Sequence, residues 1–149
     1  MTKRPDKDNY YLDIAQTVAE RSTCLRRNYG AIIVKDDAIV STGYNGAPRG
    51  RINCCDIGYC SREKFAIPRG ERYEMCRAVH AVANAIIAAS REEMIGATLY
   101  LVGLEADGSV MADTTSCMMC KRQIINAGIA RVVLRRPEGR FAIVDVQRE

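Results

Sequence analysis

Ala78-Val79-His80-Ala81-Val82-Ala83-Asn84-Ala85-Ile86-Ile87-Ala88-Ala89, followed after a short charged stretch by Ala97-Thr98-Leu99-Tyr100-Leu101-Val102, is the part of the chain that decides the fold. The first segment consists of strong helix formers with almost no charge, which predicts a helix over 78–89, buried on most of its circumference, with His80 in its first turn. The second reads as a central strand. Further on, Cys117 to Ala127 predicts a helix closed by Gly128 at the usual left-handed cap, and Arg131-Val132-Val133-Leu134 a further strand. Towards the N-terminus, Asn9 is placed to cap a helix whose stripe is Tyr11, Ile14, Ala15, Val18 and Ala19. Ala31-Ile32-Ile33-Val34 and Ala38-Ile39-Val40, separated by Lys35-Asp36-Asp37, predict a hairpin. A hairpin followed by strand, helix and strand argues for an α/β fold, a three-layer α/β/α sandwich with a mixed central sheet. From Ala47 to about Arg72 there is no clear periodicity. The reading is one domain over 1–149 with a Cys-containing insertion at about 47–76, and loops of that length are usually functional or metal-clamped.

Composition narrows the function. The 149 residues suffice for one core without staples, since a chain of this size buries roughly 70% of its unfolded surface. A net charge of +4 is too mild to argue for a groove that binds a nucleic acid polymer, although Arg26, Arg27, Arg49 and Arg51 gather near glycine-rich sequence and suit small phosphorylated ligands. Seven cysteines cannot all pair within the chain. The polar start Met1-Thr2-Lys3-Arg4-Pro5-Asp6 lacks an apolar signal core, so metal or free thiols in a reducing, cytoplasmic setting fit better than a secreted disulfide framework. No apolar run approaches the ~20 residues of a membrane span.

The chemistry gathers at three residues. His80 is the sole histidine, and Cys117-Met118-Met119-Cys120 opens the later helix, where unpaired N–H groups favour thiolate, the form that ligates metal. A Cys-x-x-Cys at a helix start also suits a redox dithiol. Joined to a histidine in the order helix, strand, helix, it reads as a zinc site of His80, Cys117 and Cys120, with the fourth position left for water. The remaining thiols suggest a second, structural zinc held by Cys24, Cys54 or Cys55, Cys60 and Cys76, with free buried thiols as the alternative.

These segments resemble the dCMP deaminase branch of the cytidine deaminase superfamily. The resemblance rests on Tyr29-Gly30-Ala31-Ile32-Ile33, on Ser41 through Gly50, on Asn53-Cys54-Cys55-Asp56, on His80-Ala81 with Asn84-Ala85-Ile86, and on Cys117 through Ile129. It implies a cytidine deaminase-like fold and zinc-dependent hydrolytic deamination of dCMP to dUMP, with attack of an activated water on C4 of the cytosine. It further implies that Asn45 contacts the deoxyribose, the backbone of Ala81 the base, and Arg26 or a basic neighbour the phosphate. A homo-oligomer is implied, with dCTP and dTTP as effectors, Gly43-Tyr44-Asn45-Gly46 tied to their binding and Arg91 to regulation. A free nucleoside or a tRNA base is the runner-up substrate.

The sequence departs from the family at two positions: Ser116 stands where Pro often precedes the first cysteine, and Val82 stands where the family has its proton-shuttling Glu. A valine has no proton to move, and general acid–base contributions are typically 10²–10⁴-fold, so turnover should be nearly lost while zinc binding survives. Two origins fit: a substitution engineered to trap a complex, or a natural zinc- and nucleotide-binding pseudoenzyme.

Overall fold

The computed structural model describes residues 3–68 and 76–146, so the stretch 69–75 of the predicted insertion lies outside the described residues. The first helix, α1 (Lys7–Ala19), is capped by Asp6 rather than Asn9. The Asp6 carboxylate accepts from Asn9 N–H at 2.7 Å, placing Asn9 inside the first turn. The hairpin forms, with longer strands than the apolar runs alone suggest: β1 (Arg27–Lys35) and β2 (Ala38–Tyr44) pair antiparallel. Asp36 and Asp37 turn the chain at φ 51° and 60°, the left-handed pair that a two-residue hairpin loop requires.

Two four-residue helices, α2 (Cys54–Ile57) and α3 (Ser61–Lys64), lie in what the sequence presents as loop. Next come α4 (Ala81–Ile87), α5 (Arg91–Met94), β3 (Thr98–Glu105), α6 (Met118–Ala127), β4 (Arg131–Arg135) and β5 (Phe141–Asp145). The sheet order is β2-β1-β3-β4-β5; β3 and β4 run parallel, and the other neighbours antiparallel. The sheet is mixed, as expected. α5 and β5 are additions to the sequence reading.

Alternation along the central strands divides the core in two. Ile32, Val34, Tyr100, Val102 and Val133 face Tyr11, Leu12, Ala15 and Ala19 of α1. Ala31, Ile33, Leu99, Leu101, Val132 and Leu134 face Ala81, Val82 and Ala85 of α4 and Cys120, Ile124 and Ala127 of α6. Helices on both faces complete the α/β/α layers. The expectation of a helix over 78–89, buried on most of its circumference, is corrected in its bounds and its cover: α4 is shorter, with Ala81, Val82 and Ala85 buried, and Ile87 is 72% exposed. Its approach to the sheet depends on Gly43, where a Cβ would fall 2.4 Å from Ala81 O and 2.4 Å from Ala85 N.

Candidate metal centre and nucleotide cavity

His80 is not in the first turn of α4 but at its N-cap, with extended backbone (φ −66°, ψ 151°). Cys117 holds the same station on α6, where its sulfur accepts from Cys120 N–H at 3.3 Å and so satisfies one of the open donors of the helix start. Both helix starts meet at the edge of the apolar cluster between sheet and helices. His80 Nδ1 lies 3.3 Å from Cys117 Sγ and 3.5 Å from Cys120 Sγ, and the three atoms lie within 4.8 Å of one another.

These separations fit zinc. Tetrahedral ligands at Zn–N of about 2.0 Å and Zn–S of about 2.3 Å stand roughly 3.5 Å apart. One thiol is already biased towards ligation: the hydrogen bond from the Cys120 thiol, then those of the His80 ring and Cys120 N–H, hold Cys117 down at about 4 despite burial. The same bond to Cys117, together with burial, pushes Cys120 up, so one proton is shared between the two sulfurs. Three protein ligands leave a fourth position for water or substrate.

The centre opens into a cavity of about 290 Å³, close to the low end of the roughly 300–1,000 Å³ usual for small-ligand sites. Ala81 and Val82 line it. Val82 is 3% exposed and shares the apolar cluster with Ala85 and Cys120. Asn45 lines it too, but its amide is engaged: Oδ1 accepts from Tyr29 N–H at 2.8 Å, and Nδ2 donates to Arg27 O at 3.0 Å. Arg26 lines it while paired to Glu63 at 3.0 Å, beside Arg27, which pairs with Glu105 at 3.8 Å.

Other expected residues lie outside the cavity lining. Gly43 is pressed against α4, and Tyr44 is exposed. Gly46 bridges Val79 through N–H···O contacts of 3.2 Å and 2.7 Å. Arg91 stands on α5 and donates through Nε to Asn126 O at 3.2 Å.

Three of the second set of thiols do line the cavity: Cys24, Cys60 and Cys76. Cys54 is buried nearby, whereas Cys55 is exposed, so Cys54 is the better-placed member of that pair. Burial pushes the Cys54 thiol up, and the proximity of Cys24, Cys60 and Cys76 adds to this. Among the described residues, only His80, Cys117 and Cys120 converge within 4.8 Å as a set of three. Sequence reasoning missed Arg62, Tyr29 and Thr115 in the cavity wall. Arg62, 6% exposed, donates through Nη2 to Pro68 O at 2.9 Å, and the signal that could have marked it is its place two residues after Cys60.

A family profile described as the cytidine and deoxycytidylate deaminase zinc-binding region matches residues 5–136. The deoxycytidylate deaminase of Mycobacterium phage D29 is 42% identical over 135 residues, covering 87% of this chain and 94% of its own. That of Schizosaccharomyces pombe is 36% identical over 131 residues; the match covers 87% of this chain and 37% of the yeast protein. Among solved structures, the dCMP deaminase of cyanophage S-TIM5 in its apo form superposes with a TM-score of 0.62 at 25% identity, covering 92% of this chain and 89% of that one. With the sheet order, the His80–Cys117–Cys120 geometry and these matches in agreement, the chain belongs to the cytidine and deoxycytidylate deaminase zinc-binding family.

Proposed function

We propose that this chain binds zinc and dCMP in the arrangement for hydrolytic deamination to dUMP, and that Val82 leaves it without the proton transfer that turnover needs. One observation carries the second half: the side chain at position 82 is buried in the cavity wall beside the His80–Cys117–Cys120 centre, where a shuttling carboxylate would have to stand. His80, Cys117 and Cys120 would hold a zinc ion, which when bound would supply Lewis-acid activation of water for hydrolysis at the cytosine C4. Around it, Ala81 presents its backbone to the base, and Asn45 orients the wall near the sugar through its bonds to Tyr29 and Arg27. Arg26, with Arg27 and Arg62 on the same wall, faces the phosphate. Val82 contributes apolar contact and no proton relay.

Comparing dCMP turnover by this chain and by Val82→Glu tests the reading. A gain of roughly 10²–10⁴-fold or more in the variant is expected. Equal, substantial rates in both would refute the assigned role of residue 82. An engineered trap and a natural pseudoenzyme share the inert state and differ in origin alone.

The finer parts of the proposal are a structural zinc on Cys24, Cys54, Cys60 and Cys76 within the insertion of a single domain, a cytoplasmic homo-oligomer, and response to dCTP and dTTP through Gly43, Tyr44, Asn45, Gly46 and Arg91. Three of those thiols line one cavity without converging as the His80 set does, and resemblance to the family supports these finer readings. Thermal shifts with dCMP, dCTP and dTTP read ligand identity without turnover. The shared proton of Cys117 and Cys120 also suits a dithiol redox protein; a purified chain free of zinc that cycles to a Cys117–Cys120 disulfide would favour that second reading.

A further inference from the structure

β4 ends in Arg135, and Arg136 follows it with extended backbone (φ −118°, ψ 163°), so the two side chains leave opposite faces of the sheet. Arg135 turns to the α1 layer: it pairs with Asp13 at 2.8 Å and donates to Gln16 Oε1 at 2.8 Å and to Asn9 O at 3.3 Å. Arg136 turns to the segment between β3 and α6, where Nη1 donates to Thr114 O at 2.7 Å. The base of that side chain is fixed, because Arg136 N–H donates to Arg140 O at 2.8 Å in the connection between β4 and β5.

Thr114 is 1% exposed and sits beside Gly103 of β3, where a Cβ would fall 2.5 Å from Thr114 Oγ1 and 2.8 Å from Met111 Sδ. Met111 N–H donates to Gly103 O at 2.9 Å. The segment is therefore laid on β3 by Met111 and Thr114 and tied to β4 by Arg136. Beyond Thr114, Thr115 and Ser116 belong to no helix or strand, both line the nucleotide cavity, and Cys117 comes next. Cys120 is supported differently: it lies inside α6, which Ile124 and Ala127 fasten to the apolar cluster. Cys117 stands at the N-cap, so its sulfur depends on where the incoming chain delivers it as well as on the helix. Three residues span at most about 10 Å, short enough for a shift at Thr114 to reach Cys117.

We infer that Arg136 is a positioning residue of the metal centre: by holding the Thr114 carbonyl to the end of β4, it fixes the segment that delivers Cys117 and so the place of that sulfur relative to His80 and Cys120. This rests on the reading that His80, Cys117 and Cys120 hold zinc, and deepens it. A guanidinium-to-carbonyl bond is charge-assisted, and 2.7 Å is at the short end of that class. Groups that orient a ligand from behind in this way typically change metal affinity 10–100-fold without touching the metal. The neighbouring Arg135 has partners of the same strength on the other face, so the pair separates support of the centre from support of the fold.

The full chain is compared with its Arg136→Met, Arg136→Lys, Arg135→Lys and His80→Ala variants by three measurements. These are zinc affinity in competition with a chromophoric chelator, the absorption spectrum on titration with cobalt(II), and urea unfolding in the presence of chelator. The part of each metal signal absent from His80→Ala belongs to the centre. Arg136→Met, which keeps the stem and loses the donor, should bind zinc there roughly 10–100-fold more weakly and show a diminished thiolate-to-cobalt band. Arg136→Lys, with a compact ammonium on a shorter stem, should fall between that variant and the wild type, and it carries the test if Arg136→Met does not fold. Arg135→Lys should lose stability while its centre keeps wild-type affinity and spectrum. Wild-type affinity and spectrum in Arg136→Met, or in Arg136→Lys where it alone folds, overturns the inference and leaves the zinc reading standing; so does an equal loss in Arg135→Lys. A wild type whose metal signal matches that of His80→Ala overturns the zinc reading, and this inference with it.

Discussion

Gly43 lies directly beneath Ala81: a Cβ on the glycine would stand 2.4 Å from the Ala81 carbonyl oxygen. The backbone of α4 is therefore seated on β2 without an intervening side chain, which sets how deep His80, one residue before Ala81, reaches into the metal centre. Ser41 on the same strand reinforces the seating by donating to Ala85 O at 2.7 Å.

Gly43→Ala should push α4 outward. Overpacking of this kind costs about 1–3 kcal/mol, and because the clash is with backbone the upper end is expected. Urea unfolding checks the stability. A competition titration with a chromophoric chelator should show weaker zinc binding, since His80 moves with α4.

Asn45→Asp keeps the acceptor for Tyr29 N–H but removes the donor to Arg27 O, and it places a charge where the residue is 6% exposed. A loss of about 1–3 kcal/mol is expected in chemical denaturation, the scale of a buried polar group left without its partner. Unchanged stability would mean that the Tyr29–Asn45–Arg27 link does not hold the ends of β1 and β2 together.

Val82→Glu, the variant expected to restore turnover, should lower the stability of the metal-free protein. Its carboxyl would enter a position that shares an apolar cluster with Ala85 and Cys120. About 1–3 kcal/mol is expected from denaturation in the presence of chelator. Equal metal-free stability would indicate that the side chain at 82 meets water rather than the core.

Alkaline pH should weaken the attachment of α1. The Tyr11 hydroxyl donates to Asp37 at 2.5 Å, and this bond, with burial and the carboxylate charge, raises Tyr11 to about 12. A folded value above the unfolded one contributes stability that is complete below pH 10 and lost as pH rises from about 10 to 12. Melting temperature should fall across that window and fall less in Tyr11→Phe; Tyr100, raised by burial and its bond to Asp8, supplies part of the slope that remains.

The strands legible in the sequence are those whose surroundings leave little choice. Ile32, Ile33, Leu99 and Val133 lie in strands covered on both faces, and such strands must be apolar runs. β5 escaped notice because Phe141, Ile143 and Asp145 lie on a half-exposed edge with no strict alternation. α5 has only four residues, although the Ser90–Glu93 capping box announces it. The His80–Cys117–Cys120 cluster could be read because few side chains suit zinc and their spacing is recognisable. The cavity wall could not: Arg62 becomes part of it only through the approach of a segment that has no periodicity. Asn45 was found, but its bonds to two backbone groups depend on where β1 and β2 end.

The two groups of cysteines occupy different stretches of the chain. Cys24, Cys54, Cys60 and Cys76 all precede β3, whereas the His80 centre is incomplete until Cys117 and Cys120 have been added beyond it. On a growing polypeptide the first four thiols therefore emerge first, and the His80 centre closes only after α6, beyond β3, has docked against the sheet. Closure of the His80–Cys117–Cys120 cluster thus reports assembly: a chain in which α6 has not docked is left with His80 apart from both thiols, without the set of three that could hold a metal.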